Sequence, residues 1–371
     1  MTPLFLFIVA SQDPKPPPRF TPEALRQVDS IAEAEFARDS LGSFTVGIVS
    51  GPALVWVKSF GFSDSARTRL ATPTTVYRIA SVTKQLTALM LLQCVEGATV
   101  RLSDPVDRYV PEIAAVRAQT PFAAAPTLVQ LATMTSGLAR TPNDQRKSQS
   151  GSPAEWLSVL IGALPNTEYA RPPGSGYGYS NVGYAILGAA LARAARQDYI
   201  SYQRQRILGP LGMSSTDFEL TPALGARLAT GVDFDELVPG KLNFADAAMD
   251  HRNGLGLGVP SGGAYSTVGD VAKLVSLQLG YGPDSVLRRE TLKVRDNVPV
   301  SAYPSLDYGY GLGYQALRWA DTVAVGHSAI SRDTLRWCCT TQRVASASSC
   351  FAARRVARQT PGDSPGAPSA N

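Results

Sequence analysis

The stretch ASVTKQLTALMLLQCVEG at 80–97 decides how this chain is interpreted. Its apolar residues recur at helical spacing over 82–96, and the glycine that follows is a natural helix end. A helix this apolar is expected to be buried. Ser81 stands at its start and Lys84 three residues later, so the hydroxyl and the amine are expected on one face of the helix, within reach of each other.

The Ser81 and Lys84 pair predicts a nucleophile and its base. A serine hydroxyl needs a base, and a buried lysine with a lowered pKa can supply one. The structural alternative is that Ser81 caps the helix and Lys84 is a solvated residue of its first turn. A bare S-x-x-K is expected about once by chance in a chain of this length. However, a cation in the first turn opposes the helix dipole, so local stability does not explain Lys84.

A second polar group, Tyr179-Ser180-Asn181, follows a glycine-rich loop at 172–178 and precedes an apolar helix pattern at 182–196. A phenol becomes a usable base only beside cations, which Lys84 would supply. The Asn181 amide can both donate and accept hydrogen bonds to a substrate amide. The alternative is a surface tyrosine followed by an asparagine helix cap.

A third group lies in VAVGHSA at 323–329, a short apolar strand pattern that ends in small and polar residues. Near neutral pH, His327 would contribute a proton or a positive charge to a site at the end of this strand. The alternative is a half-exposed histidine at a strand end, without a catalytic role.

Outward from these groups, the chain predicts a sheet lobe that is split in sequence by helices. The predicted elements are a helix capped by Thr21 and running to about Ser40, an antiparallel hairpin at 44–60, helices across much of 100–260, and short strands at 309–314 and 321–326.

Taken in order, S-x-x-K, Y-S-N and H-S-A resemble the motifs of the serine β-lactamase and penicillin-binding-protein-like superfamily. The nearest branch is that of the class C β-lactamases and the D-alanyl-D-alanine carboxypeptidases. Further blocks keep the family order over about 42–330, namely YRIASVTKQLTALMLLQ (77–93), MTSGL (134–138), PPGSGYGYSNVGYAILG (172–188), LGMSSTDF (211–218), GGAYSTVGDVAKLV (262–275) and YGLGY (310–314). The resemblance implies an α+β fold, with an antiparallel sheet flanked by helices and an inserted, mostly helical lobe.

The resemblance also implies a role for each matching residue. Ser81 would be the acylated nucleophile, Lys84 its activator and Tyr179 the proton shuttle toward the leaving group. Asn181 would bind the substrate amide, and His327 would lie on the strand that lines the site. The oxyanion hole would use the N–H of the nucleophile and one near Ile330.

Three positions depart from the family pattern. Ala329 replaces the glycine against which the substrate lies, and Met134 replaces a common histidine. After Ile330 the expected glycine and two closing strands are not recognisable, and the composition of 331–371, with six Arg, six Ser and one Leu, does not predict a sheet edge. We hypothesise an altered reading frame in this segment.

The predicted domains are therefore a possible signal remnant and proline-rich linker at 1–20, a hydrolase domain at 21–330, and an atypical, frame-altered or disordered tail at 331–371. The apolar run at 3–10 resembles part of a secretory signal but lacks a positive n-region, and it predicts a periplasmic or secreted protein.

Composition excludes several classes of function. With 371 residues, 44% of them hydrophobic, the chain can bury a large core. The net charge is +5, but six Arg and two Asp put +4 of it in residues 331–371, so no nucleic-acid partner is predicted. Two histidines far apart do not predict a metal centre, and no cofactor is expected. No apolar stretch reaches the length of a membrane span.

Two competing hypotheses remain. GHSAI at 326–330 resembles half of the nucleophile elbow of α/β-hydrolases, but Ile330 replaces its last glycine and no histidine follows. The stronger rival is a penicillin-binding-like scaffold whose catalysis is impaired by the altered C-terminus. We predict a serine hydrolase that forms an acyl-enzyme on an amide or ester of a small molecule or peptide. A β-lactam, a D-alanyl peptide and a small ester all remain open, as does the oligomeric state.

Overall fold

The computed structural model describes residues 20–38, 40–118, 124–144, 148, 150–234, 242–245, 256–297, 301–302, 308–319, 322–330 and 336–342. The predictions made for the run at 3–10 and for residues 343–371 lie outside the described residues.

Within these ranges the helices are α1 (Pro22–Ala37), α2 (Thr83–Glu96), α3 (Leu128–Ala132), α4 (Trp156–Ala163), α5 (Asn181–Ala195), α6 (Tyr199–Tyr202), α7 (Pro222–Gly225), α8 (Val259–Gly262), α9 (Val268–Ser276) and α10 (Arg289–Asn297). The strands are β1 (Ser43–Ser50), β2 (Ala53–Gly61), β3 (Tyr77–Arg78), β4 (Gly231–Phe234), β5 (Leu242–Ala245), β6 (Tyr265–Ser266), β7 (Ser301–Ala302), β8 (Tyr308–Tyr310), β9 (Gln315–Trp319), β10 (Thr322–Ile330) and β11 (Arg336–Gln342).

The N-terminal elements match their prediction. The Thr21 hydroxyl accepts a hydrogen bond from the N–H of Ala24 and caps α1. Strands β1 and β2 form the predicted antiparallel hairpin, and α9 packs against it. Three rings join α1 to the hairpin, because Phe36 contacts Phe44 and Phe60 with ring centroids 6.0 and 6.1 Å apart. This apolar contact fixes the helix on one side of the hairpin.

Helix α2 forms the centre of the core. Eleven of its fourteen residues are buried, and Gly97 follows its last residue as predicted. It packs against α5 and α8, whose residues are also mostly buried. Burial on nearly every side explains why the apolar residues of α2 are not confined to one face.

A five-stranded antiparallel sheet with the order β11-β10-β9-β8-β7 lies beside α2. The turn between β8 and β9 approaches the helix closely at Gly313, whose φ is +75°. A Cβ at this position would lie 2.9 Å from the Lys84 carbonyl oxygen and 2.5 Å from the Ala88 Cβ. Glycine is therefore required for the sheet to reach the first turns of α2.

The structure corrects three expectations about this sheet. The strand predicted at 309–314 ends at Tyr310, and β9 was not predicted because its five residues carry only a weak alternating pattern. Strand β11 pairs with β10 where no strand was expected. Its sequence RWCCTTQ contains Trp and Thr, which suit a strand, and pairing also satisfies the edge of β10.

The elbow hypothesis for GHSAI is wrong. A nucleophile elbow stands at a sharp turn from a strand to a helix. Ser328 instead lies inside β10, where it pairs with the antiparallel strand β11. The fold is α+β as predicted, with helices between the N-terminal hairpin and the C-terminal sheet. Among the described residues, no helix combines the length and apolarity needed to cross a membrane.

Candidate active site

Ser81 lies in a short 3-10 turn, Ala80–Val82, immediately before α2. The preceding residue, Ala80, has a φ of +41°, which is unfavourable for a residue with a side chain. The cap position of α2 is Val82, and no side chain caps it. Ser81 is therefore not a helix cap, and its half-buried hydroxyl is available for other contacts.

Lys84 is completely buried. Its Nζ lies 2.6 Å from the carbonyl oxygen of Ser261, 2.9 Å from the Oδ1 of Asn181 and 3.2 Å from the Oγ of Ser81. Burial holds the pKa of the Lys84 amine well below its ordinary value, and the nearby charge of Arg140 lowers it further. The alternative of a solvated first-turn lysine is wrong.

The lowered pKa of Lys84 favours the neutral amine, in which the contact with Ser81 reverses its direction. A neutral lysine has two N–H groups and one lone pair. The Ser261 carbonyl and the Asn181 Oδ1 can only accept, so they take the two N–H groups. The lone pair is then left for the proton of the Ser81 hydroxyl. The geometry thus points the amine at Ser81 as a base.

Tyr179 reaches Ser81 from the opposite side. Its hydroxyl donates a hydrogen bond of 2.9 Å to the Ser81 Oγ. The Lys84 Nζ lies 4.9 Å from the centre of the ring, as expected, and the Arg140 Cζ, which the sequence did not predict there, lies 4.7 Å from it. Burial nevertheless raises the pKa of Tyr179, so the phenol is protonated at rest and acts as a donor. The raised pKa runs against the expectation that neighbouring cations make this phenol a usable base.

The backbone around Tyr179 and Asn181 is held by its neighbours. Ser180 caps α5, since its hydroxyl accepts from the N–H of Gly183 and donates to the carbonyl of Ala139. The N–H of Ser180 donates to the sulfur of Met134 at 3.2 Å. The residue that departs from the family pattern therefore still supplies an acceptor behind the Tyr-Ser-Asn segment.

His327 lies close to these groups but is only 1% exposed. Its Nδ1 is 2.6 Å from the carbonyl oxygen of Ser328, and its Nε2 is 2.8 Å from the hydroxyl of Tyr310. Burial lowers the pKa of His327 to about 3, and the charge of Lys84 acts in the same direction. The expectation of a proton or positive charge near neutral pH is wrong, because the ring is neutral and both of its nitrogens are engaged.

The edge of β10 runs past the end of β9 beside the site. The last residue pair with β9 joins Gly326 to Gln315. The N–H of Ser328 donates to the side-chain Oε1 of Gln315 at 2.8 Å. Backbone N–H groups two residues apart in a strand point to the same side, so the N–H of Ile330 faces that way too. Strand β10 packs on the turn that carries Ser81.

Sequence reasoning missed four contributors to this site, namely the Ser261 carbonyl, Arg140, Tyr310 and Gln315. A backbone carbonyl leaves no signal in a sequence. Tyr310 belongs to the YGLGY block, so its presence near the site was signalled but its contact with His327 was not. Among the described residues, no three potential metal ligands of the His, Cys, Asp or Glu type cluster together.

Comparisons with known proteins identify the family and the fold. The sequence model described as Beta-lactamase matches residues 28–345. A human beta-lactamase-like protein is 30% identical over 279 residues, which cover 73% of this chain and 53% of that protein. The chain spans about half the length of the curated relatives it matches first.

Two solved structures share the fold. The octameric penicillin-binding protein homologue from Pyrococcus abyssi superposes with a TM-score of 0.72 at 22% identity, over 88% of this chain and 72% of that one. The D-amino acid amidase from Ochrobactrum anthropi SV3 has a TM-score of 0.72 at 21% identity, over 88% of this chain and 90% of that one.

Proposed function

Because this chain belongs to the Beta-lactamase family, we propose that it is a serine hydrolase that transfers an acyl group through Ser81. One observation carries the proposal. The Ser81 Oγ lies between the Lys84 Nζ at 3.2 Å and the Tyr179 hydroxyl at 2.9 Å, so a base and an acid flank one nucleophile. This is the arrangement that acyl transfer requires.

In the first step, the Ser81 Oγ forms a bond to the substrate carbonyl carbon while its proton passes to the neutral Lys84 amine. The carbonyl oxygen becomes an oxyanion, for which backbone N–H groups of Ser81 and Ile330 are the proposed donors. Tyr179 donates its proton to the leaving nitrogen or oxygen as that bond breaks, and regains a proton from the Lys84 ammonium. A serine ester remains, which water cleaves by the same transfers in reverse.

Asn181 contributes to both the base and the substrate. Its Oδ1 accepts from Lys84, which helps to hold the amine in place. The amide NH₂ on the same side chain is a donor of the kind that binds a substrate carbonyl. We keep Asn181 as the proposed ligand of the substrate amide, and we assign His327 a positioning role rather than a direct substrate contact.

The substrate class stays open among β-lactams, D-alanyl peptides and small esters. The neighbouring structures include an amidase and a penicillin-binding protein homologue, so the shared fold does not single out one substrate class. A periplasmic or secreted location and the absence of a cofactor stay predictions. A scaffold with impaired turnover is the rival proposal, and the experiment below separates it.

The test is turnover of p-nitrophenyl acetate and of a penicillin by the full chain, with Ser81→Ala as the control. We expect an initial burst of one product per chain followed by steady hydrolysis, both absent in Ser81→Ala. A burst without steady hydrolysis favours the impaired scaffold. Equal rates for the wild type and Ser81→Ala contradict the proposal.

A further inference from the structure

Counting donors places one proton on the buried His327, and burial favours the neutral form of its ring. The carbonyl oxygen of Ser328 can only accept, so the Nδ1 that faces it at 2.6 Å carries a proton. In a neutral imidazole the other nitrogen is then an acceptor. The hydroxyl of Tyr310, 2.8 Å from Nε2, is therefore the donor in that contact. Tyr310 is fully buried, and its hydroxyl also contacts that of Tyr184, which donates its own proton to the Ala132 carbonyl.

The N–H and the carbonyl of Ser328, which belong to two consecutive peptide units, are both held by side chains. His327 donates to the Ser328 carbonyl, and Gln315 accepts from the Ser328 N–H. These backbone groups would pair with β9 if that strand continued, but its pairing with β10 ends at Gln315. Two side chains therefore replace the missing strand at this point. A buried backbone group without a hydrogen bond is unfavourable, so losing either side-chain contact would destabilise this part of β10.

The position of the Ser328 backbone affects the proposed oxyanion donor, the N–H of Ile330. Ile330 follows Ser328 by two residues, so its N–H points to the same side of β10. Strand β10 packs on the turn of Ser81. A rotation of the Ser328 peptide would be passed along the strand and would displace the Ile330 N–H. Displacements of about 1 Å in a catalytic group reduce rates by about 10²-fold.

We propose that Tyr310 is a positioning residue that acts through His327. Its hydroxyl holds the imidazole against the Ser328 carbonyl, and this contact, called the lock below, orients the N–H of Ile330 toward the acyl group on Ser81. The expected effect on rate rests on the proposed function, whereas the two hydrogen bonds of His327 can be tested without any activity. The neutral ring also places no second positive charge beside Lys84.

The test compares Tyr310→Phe with Tyr199→Phe in the full chain. Tyr199 is the matched control because it is also fully buried and its hydroxyl contacts Thr87 at 2.8 Å, away from His327. We expect Tyr310→Phe to slow acylation of Ser81 about tenfold, in kcat rather than in KM, since the donor acts on the oxyanion and not on the ground state. Tyr199→Phe should stay within about twofold of the wild type.

A nuclear magnetic resonance readout separates the lock from general damage. The chain has only two histidines, and His327→Gln assigns the signal of His327 by its loss. The titratable groups around the ring are Lys84, Tyr179 and Tyr310. We expect a neutral ring protonated on Nδ1, with no titration of its own between about pH 5 and 9. In Tyr310→Phe, the Nε2 signal and the backbone amide signals of Ser328 and Ile330 should move, whereas in Tyr199→Phe they should not.

Each result has a distinct meaning. A His327 ring that titrates near neutral pH, or one protonated on Nε2, overturns the lock. Unmoved Ser328 and Ile330 amides in Tyr310→Phe overturn the positioning role even if the enzyme proves inactive. Wild-type protein that is never acylated contradicts the proposed function, whereas the magnetic resonance result still decides the inference.

Discussion

The charge of Arg140 should set the pH at which Ser81 becomes reactive. Arg140 is exposed and Lys84 is buried, and both lie over the ring of Tyr179, at 4.7 and 4.9 Å from its centre. The two charges are thus separated by about 10 Å or less. Coulomb's law gives about 1.7 kcal/mol at this distance with an effective dielectric constant of about 20, and about 0.4 kcal/mol in bulk water. These energies correspond to roughly 0.3 to 1.2 units of pKa.

The change to make is Arg140→Gln. Acylation needs the neutral Lys84 amine, so its rate rises as the pH passes through the pKa of Lys84. Removing the arginine charge relieves its repulsion of the Lys84 ammonium, and the pKa of Lys84 then rises. We expect the ascending limb of the acylation rate to move to higher pH by roughly 0.3 to 1.2 units.

The assay is the acylation rate with an uncharged p-nitrophenyl ester from pH 5 to 10, because a neutral reagent is not attracted or repelled by residue 140. Arg67→Gln is the matched control, since this guanidinium also stacks on a ring, that of Phe62, and makes no contact with Lys84. A limb that stays in place, or moves to lower pH, refutes the assignment of Lys84 as the base.

Three further changes test the base and its surroundings. Lys84→Met should reduce acylation by about 10²- to 10⁴-fold and also lower the melting temperature, because the Ser261 carbonyl and the Asn181 Oδ1 lose their donor; unchanged acylation would contradict the role of Lys84 as the base. Gly313→Ala should lower the free energy of unfolding by about 2–4 kcal/mol, measured with a denaturant, because there is no space for its Cβ. Gly162→Ala is the control: the added Cβ meets nothing within 4 Å, so the stability should not fall. Ser180→Ala should lower the free energy of unfolding by about 1 kcal/mol in the same measurement, because α5 loses its N-cap. An unchanged stability would show that the cap is dispensable.

The sequence predicted the central helix and the residues that meet at its start. The apolar pattern of α2 spans several turns, so its period and its final glycine are strong signals. Ser81, Lys84, Tyr179 and Asn181 are brought together as expected, although 97 positions separate Lys84 from Asn181. This meeting followed from the family resemblance, because spacing along the chain cannot bring distant segments together.

Other features depend on packing that the sequence does not display. The charge state of His327 is set by burial and by Tyr310, neither of which shows in VAVGHSA. Strand β11 was missed because arginine and serine dominate residues 331–371, whereas the edge of β10 offers pairing to the short RWCCTTQ stretch. The Ser261 carbonyl contacts Lys84 through its backbone, which any residue type would supply.

The most direct test of the account is intact-mass spectrometry of the full chain after treatment with a fluorophosphonate and, separately, with a penicillin. The account predicts a single covalent adduct on the wild type, none on Ser81→Ala, and slow labelling of Lys84→Met. An adduct that persists in Ser81→Ala, or a folded wild type that takes up no label, would contradict the claim that Ser81 is an activated nucleophile.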